Sequence, residues 1–178
     1  MKCNSVLLCE DSHLIVNSLG ERVSSWIRMI RLMRALIRFV RICYSKMKHS
    51  SKVEDSKVED LVHAGEQLLR LVQAKHFLAD VKALRGVKEV TKSSRMKKLS
   101  PFLDGKGVMR VRGRLRKAQV SDTAKHPVIL PTKEVIVTRI IEWCHMEVEH
   151  FGRTTTLGEI RSRGFWILSA HDQVRRVF

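Results

Sequence analysis

Residues 100–115 read SPFLDGKGVMRVRGRL, and residues 126–131 read HPVILP. Asp104-Gly105 and Gly107 are turn residues set between short apolar runs, which predicts a hairpin with Val108–Leu115 as its second strand. Arg110, Arg112, Arg114 and Arg116 alternate with Val111, Gly113 and Leu115. A period of two places four cations on one face of that strand and its apolar residues on the other. That face is either solvated or in contact with phosphate, to which arginine is well suited. Arg110, Arg112, Arg114, Arg116 and Lys117 are therefore the candidate nucleic-acid-binding residues.

Upstream, the periodicity is helical. Val23–Cys43 carries Arg28, Arg31, Arg34, Arg38 and Arg41 at spacings of three and four. Five arginines exclude an ordinary membrane-spanning helix. They form one stripe, leaving Trp26, Ile27, Ile30, Met33, Ile37, Phe39 and Val40 as a wide apolar face. Such a basic amphipathic helix packs on protein, lies on a membrane surface or takes a partner helix; residues 23–43 are the candidate surface for the last two. The repeated SKVED of residues 51–60 reads as a solvated linker entering a second helix that ends near Leu84, with Gly86 after it. Downstream, Pro131 opens an expected helix from Thr132 to about Val148. Gly152 would end that helix in the left-handed conformation, and Thr156 with Glu159 matches a capping box for the next one.

The expected fold is α+β and mainly α. It comprises a basic amphipathic helical segment (1–49), a charged linker with a helix (50–98), and a small antiparallel sheet followed by a short helical unit (99–178). The chain of 178 residues carries 34 Lys and Arg against 18 Asp and Glu, a net charge of +16. Both halves share it, with +6 over residues 1–85 and +10 over residues 86–178. A polyanion is the natural partner. Cys3, Cys9, Cys43 and Cys144 form no C-x-x-C pair and suggest no disulfide framework, and the N-terminal stretch makes a poor signal peptide. An intracellular location, nuclear or cytoplasmic, is expected. No phosphate-binding loop, nucleophile elbow or HEXXH pattern is present, so no enzymatic activity is expected.

His145 and His150 lie five residues apart, about 140° from each other around an ideal helix. They meet at one ion only if the helix ends between them. Taken in order, KHFLADVKAL, KSSRMKKLSPFLDGKGVMRVRGRL, KHPVILP, IIEWCHMEVEHFGRTTTLGEIRSRGFWIL and VRRVF resemble the integrase zinc-binding region of Pao/BEL-type retrotransposon polyproteins. The upstream piece, ERVSSWIRMIRLMRALIRFVRIC followed by EDLVHAGEQLLRLVQAKHF, is similar to the segment those polyproteins place between their RNase H and integrase domains, so the resemblance covers roughly residues 20–178. The resemblance implies a two-His, two-Cys structural zinc site in which His145 and His150 supply the histidines. It also implies that the cysteines follow VRRVF, beyond Phe178, so that this chain carries a truncated zinc-binding domain with half of the site. Cys144 and His171 are weaker alternative ligands. The functional expectation is a noncatalytic, sequence-tolerant DNA-binding fragment related to DNA integration. Membrane-surface or partner-helix binding, and a retroelement relic with no function, are the alternatives.

Overall fold

The computed structural model describes residues 20–47, 57–86, 90, 94, 96–112, 119 and 121–178. Arg114, Arg116, Lys117, Cys3, Cys9 and most of the SKVED repeat lie outside them. The described chain runs α1 (Trp26–Met47), α2 (Lys57–His76), α3 (Leu78–Arg85), a 3-10 turn (Lys97–Leu99), β1 (Pro101–Leu103) and β2 (Met109–Val111). It continues with α4 (Asp122–Lys125), β3 (Val128–Leu130), α5 (Val135–Glu147), α6 (Gly152–Ser162), β4 (Phe165–Ile167) and α7 (Ala170–Val177). The fold is α+β and mainly helical, around one four-stranded sheet of order β1-β2-β3-β4.

The hairpin forms where its turn chemistry places it. The Asp104 carboxylate accepts hydrogen bonds from the backbone N–H of Lys106 and Val108, both at 2.9 Å, and Gly107 takes φ 76°. These bonds close the loop and set the β1–β2 register, Pro101 opposite Val111 and Leu103 opposite Met109. β2 runs only Met109–Val111, with Val108 and Arg112 outside it, and residues 113–115 of the expected strand lie outside the described residues. The sheet is also mixed rather than wholly antiparallel. β4 pairs parallel with β3, Ile129 opposite Trp166, because α5 and α6 return the chain to the same end of the sheet before β4 begins.

Alternation along the strands supplies two cores. Val108, Val128, Leu130, Phe165 and Ile167 join the larger one, with Met29 and Met33 of α1, Leu68 and Val72 of α2, and Ile136, Ile140 and Cys144 of α5. Met109, Val111 and Ile129 face the other side, against Phe77, Val81 and Met96, with Trp166 packed at the edge. The larger core therefore draws on the whole described length. Trp26 of α1 meets Phe165 of β4 edge to face, with ring centroids 6.4 Å apart. The buried seam of α1 is Trp26, Met29 and Met33, whereas Phe39 and Val40, expected on the apolar face, stay exposed.

Three boundaries differ from the sequence expectation. The expected single helix of the second segment breaks at Phe77, whose ψ of 32° lets its ring drop into the smaller core and starts α3. α5 begins at Val135, because Lys133 takes φ 58° and Glu134 is extended. α5 ends at Glu147, and α6 begins at Gly152, four residues before Thr156, so Thr156 is interior to the helix and is no cap.

Two buried polar side chains tie the end of α2 to the sheet and to the start of α5. Gln73 donates from Nε2 to the carbonyls of Met109 and Ile129 and accepts from the Met109 N–H, each at 2.8 Å. Beside the Arg110–Val128 pair, this amide stands in for bonds between β2 and β3. Glu134, 5% exposed, is held by Lys75 at 3.0 Å and by His76 Nε2 at 2.5 Å. A buried carboxylate needs such partners to offset its lost hydration.

Gly164 sits at the α6–β4 turn with φ 79°, and a Cβ there would lie 2.6 Å from the Thr123 carbonyl oxygen. Its own carbonyl accepts from Val128 N at 2.7 Å, so neither side can yield freely. Gly164→Ala should cost about 3 kcal/mol from left-handed backbone strain and the clash together. Gly158 lies inside α6 with nothing within 4 Å of the place a Cβ would take, and Gly158→Ala should gain about 0.5–1 kcal/mol. Urea denaturation of the two variants decides it: midpoints moving together, or Gly164→Ala leaving the midpoint in place, would contradict this account of the turn.

Candidate metal and nucleic-acid site

α5 carries His145 in its last turn. Val148 is the C-cap and Glu149 follows in the left-handed conformation at φ 49°. The His150 N–H donates to the His145 carbonyl at 3.1 Å and the Glu149 N–H to the Met146 carbonyl at 3.0 Å. This pair of bonds is the Schellman ending, achieved by Glu149 and His150 rather than by Gly152. Gly152 does take φ 78°, but at the start of α6. The reversal brings the two imidazoles together, with centroids 4.7 Å apart and planes at 71°.

A third residue fixes the chemistry of His145. Thr156 Oγ1 donates to the Gly152 carbonyl at 2.8 Å, which uses its only proton. The 2.8 Å contact between Thr156 Oγ1 and His145 Nδ1 must then be donated by the ring. His145 is held as the Nδ1–H tautomer, leaving Nε2 with the lone pair a metal ligand requires. Burial and the neighbouring His150 both hold the His145 pKa below its ordinary value, which favours that neutral form. The ring also stacks on Phe178, with centroids 3.9 Å apart and planes at 30°. His150 is exposed.

Two imidazoles meet at this turn. Among the described residues, no three His, Cys, Asp or Glu side chains converge as a metal site. Cys144 faces the larger core, fully buried, and burial foremost pushes its thiol up to about 12, so it stays protonated. His171 is exposed on α7. Glu147 binds Arg163 at 2.8 Å, and Arg163 also pairs with Glu159 and lies 4.1 Å over the Trp143 ring. Arg163 thus clamps α5 to α6 and frames the turn that holds the histidines.

The basic strand is divided. Arg110 is drawn inside: its Nε donates to Asp104 at 2.6 Å and its Nη1 to the His126 carbonyl at 3.1 Å. Burial alone would raise the Asp104 pKa, but hydrogen bonds from Arg110, Val108 and Lys106, with the charge of Arg110, leave it below the ordinary carboxylate range. Arg110 is therefore a brace of the hairpin. Arg112 is exposed, 5.5 Å from the Phe102 ring centroid, and open to an anion. On α1 the apolar residues Leu36, Phe39, Val40, Tyr44 and Met47 are exposed, while Ile37 packs against the larger core and Arg41 pairs with Asp60 of α2. Among the described residues, no helix is long and apolar enough to cross a membrane.

No protein-family model matches the chain, and no curated protein or solved structure matches it either.

Proposed function

We propose that this chain is a noncatalytic, nucleic-acid-associated unit of the integrase zinc-binding type, contributing His145 and His150 to a structural zinc site. The observation that carries the reading is the His145–Thr156–Gly152 relay. A ligating histidine ordinarily donates its second ring N–H to an oxygen, and here a threonine with no other proton to give takes that bond. In the family that the sequence resembles, two cysteines complete the tetrahedron. Zinc bound there would cross-link the α5–α6 turn to another part of the protein and stiffen a small helical unit. The positive charge would hold DNA through its phosphates, without reading sequence. Membrane-surface or partner-helix docking is the competing reading, favoured by the exposed apolar residues on α1.

Zinc titration, followed on the imidazole proton NMR signals of the eight histidines, tests the metal half. The signals of His145 and His150 should move together and before the others. Thr156→Val removes the acceptor while keeping the shape, and should weaken zinc binding about 10- to 100-fold. A pair that shifts no earlier than the other histidines, or a Thr156→Val variant that binds as the parent does, contradicts the assignment.

A further inference from the structure

We propose that the cleft between α6, β4 and the start of α7 takes one unpaired nucleotide of a single strand, stacking its base on Trp166 and meeting its phosphate with Arg161 and Lys98. The inference rests on the nucleic-acid reading above and adds to it a site and a strand state.

The cleft measures about 320 Å3, within the range that holds small ligands. Its floor is apolar, from Leu157 and Ile160 of α6. Lys98, Arg161 and His171 line its edge, all exposed, and none of its described lining residues is acidic. Arg161 makes no ion pair among the described residues, and its guanidinium lies 6.0 Å from the Trp166 ring centroid. That distance is the outer limit of a cation–π contact, so the guanidinium is held near the indole but only weakly bound to it. An apolar floor, a half-buried indole and cations without carboxylates suit a planar, anionic ligand. A nucleotide has both properties, and duplex DNA hides its base faces from such a cleft. An unstacked base presents its face to an aromatic side chain and its phosphate to arginine. The rest of the basic surface then carries the flanking backbone.

The test is fluorescence anisotropy at low salt with labelled oligo(dT) of eight nucleotides and, separately, a blunt 20-base-pair duplex. Trp166→Leu should weaken oligo(dT) binding about tenfold or more and leave duplex binding within about twofold, as expected for one stacked base. Trp166→Phe, which keeps an aromatic face, should retain most of the affinity. Arg161→Ala alters an exposed position and should weaken oligo(dT) binding in the same direction. Free thymidine monophosphate should compete only at far higher concentration than the strand; competition at equal nucleotide concentration overturns the assignment to a strand. Unchanged oligo(dT) binding in Trp166→Leu and Arg161→Ala, with duplex binding intact, overturns the cleft and leaves the proposed function standing. Loss of duplex binding in the parent chain overturns the proposed function instead, and Trp166-dependent oligo(dT) binding would still support the cleft.

Discussion

Replacing Gln73 by leucine lowers the stability of this protein by about 4 kcal/mol, the expected loss when one buried amide has served three backbone groups. Its Nε2 donates to the Met109 and Ile129 carbonyls and its Oε1 accepts the Met109 N–H. The substitution leaves two carbonyls and one N–H without partners in a region where Gln73 itself is 1% exposed. Each unsatisfied group costs about 1–3 kcal/mol, and the added apolar contact of leucine offsets only part of that. Gln73→Glu should be at least as damaging, because a carboxylate cannot donate to either carbonyl and would face both with negative charge. For a chain of this size the loss corresponds to a fall in Tm of roughly 10 °C. Urea denaturation of both variants measures it; a loss below about 1 kcal/mol in Gln73→Leu would mean that β2 and β3 hold together without the bridge.

Gln73 also shows where the sequence stops being informative. The hairpin at Asp104-Gly105 was legible because its hydrogen bonds close within four residues. The helical character of α1 was legible from the spacing of its arginines, but its buried stripe only in part: Trp26 and Met33 were expected on the apolar face, whereas Met29 was not, and Phe39 and Val40 are exposed. Gln73 bonds 36 and 56 residues away, and no local pattern announces that. The parallel placement of β4 depends in the same way on how α5 and α6 carry the chain back. Lys133 in the left-handed region delays α5 past Pro131, an outcome that proline's preference for a first helical turn does not foresee.

The candidate site divides along the same line. A helix end between His145 and His150 was the condition for their meeting at one ion, and the structure places the end there, although Glu149 rather than Gly152 makes the turn. Thr156 looked like a cap because of the glutamate three residues on; its contact with His145 spans 11 residues and emerges only once α6 packs on α5. Alternation correctly separated Arg110 from its apolar neighbours, but the cross-strand position of Asp104 claims its guanidinium. The Trp166 cleft needs elements from residues 98 to 171, and no single stretch contains it.

The second large effect concerns salt. A net charge of +16, distributed over both halves, attracts phosphates from any direction, and neutralising them releases condensed counterions. The logarithm of the affinity should then fall linearly with the logarithm of salt concentration. Contact with about six phosphates predicts a loss of roughly 10³-fold between about 50 and 200 mM salt. Base-edge readout and apolar burial would respond far less to salt, so the slope itself distinguishes backbone contact from them. Two unrelated duplexes of equal length should give the same affinity and the same slope. Arg112→Glu should reduce both, because Arg112 is exposed, whereas Arg110 acts as an internal brace.

Equilibrium binding of a 20-base-pair duplex across that range of salt tests the nucleic-acid claim most directly. The account predicts tight binding at the low end, a steep linear loss and no dependence on sequence. Absence of binding at the lowest salt, or an affinity that salt leaves unchanged, would contradict it.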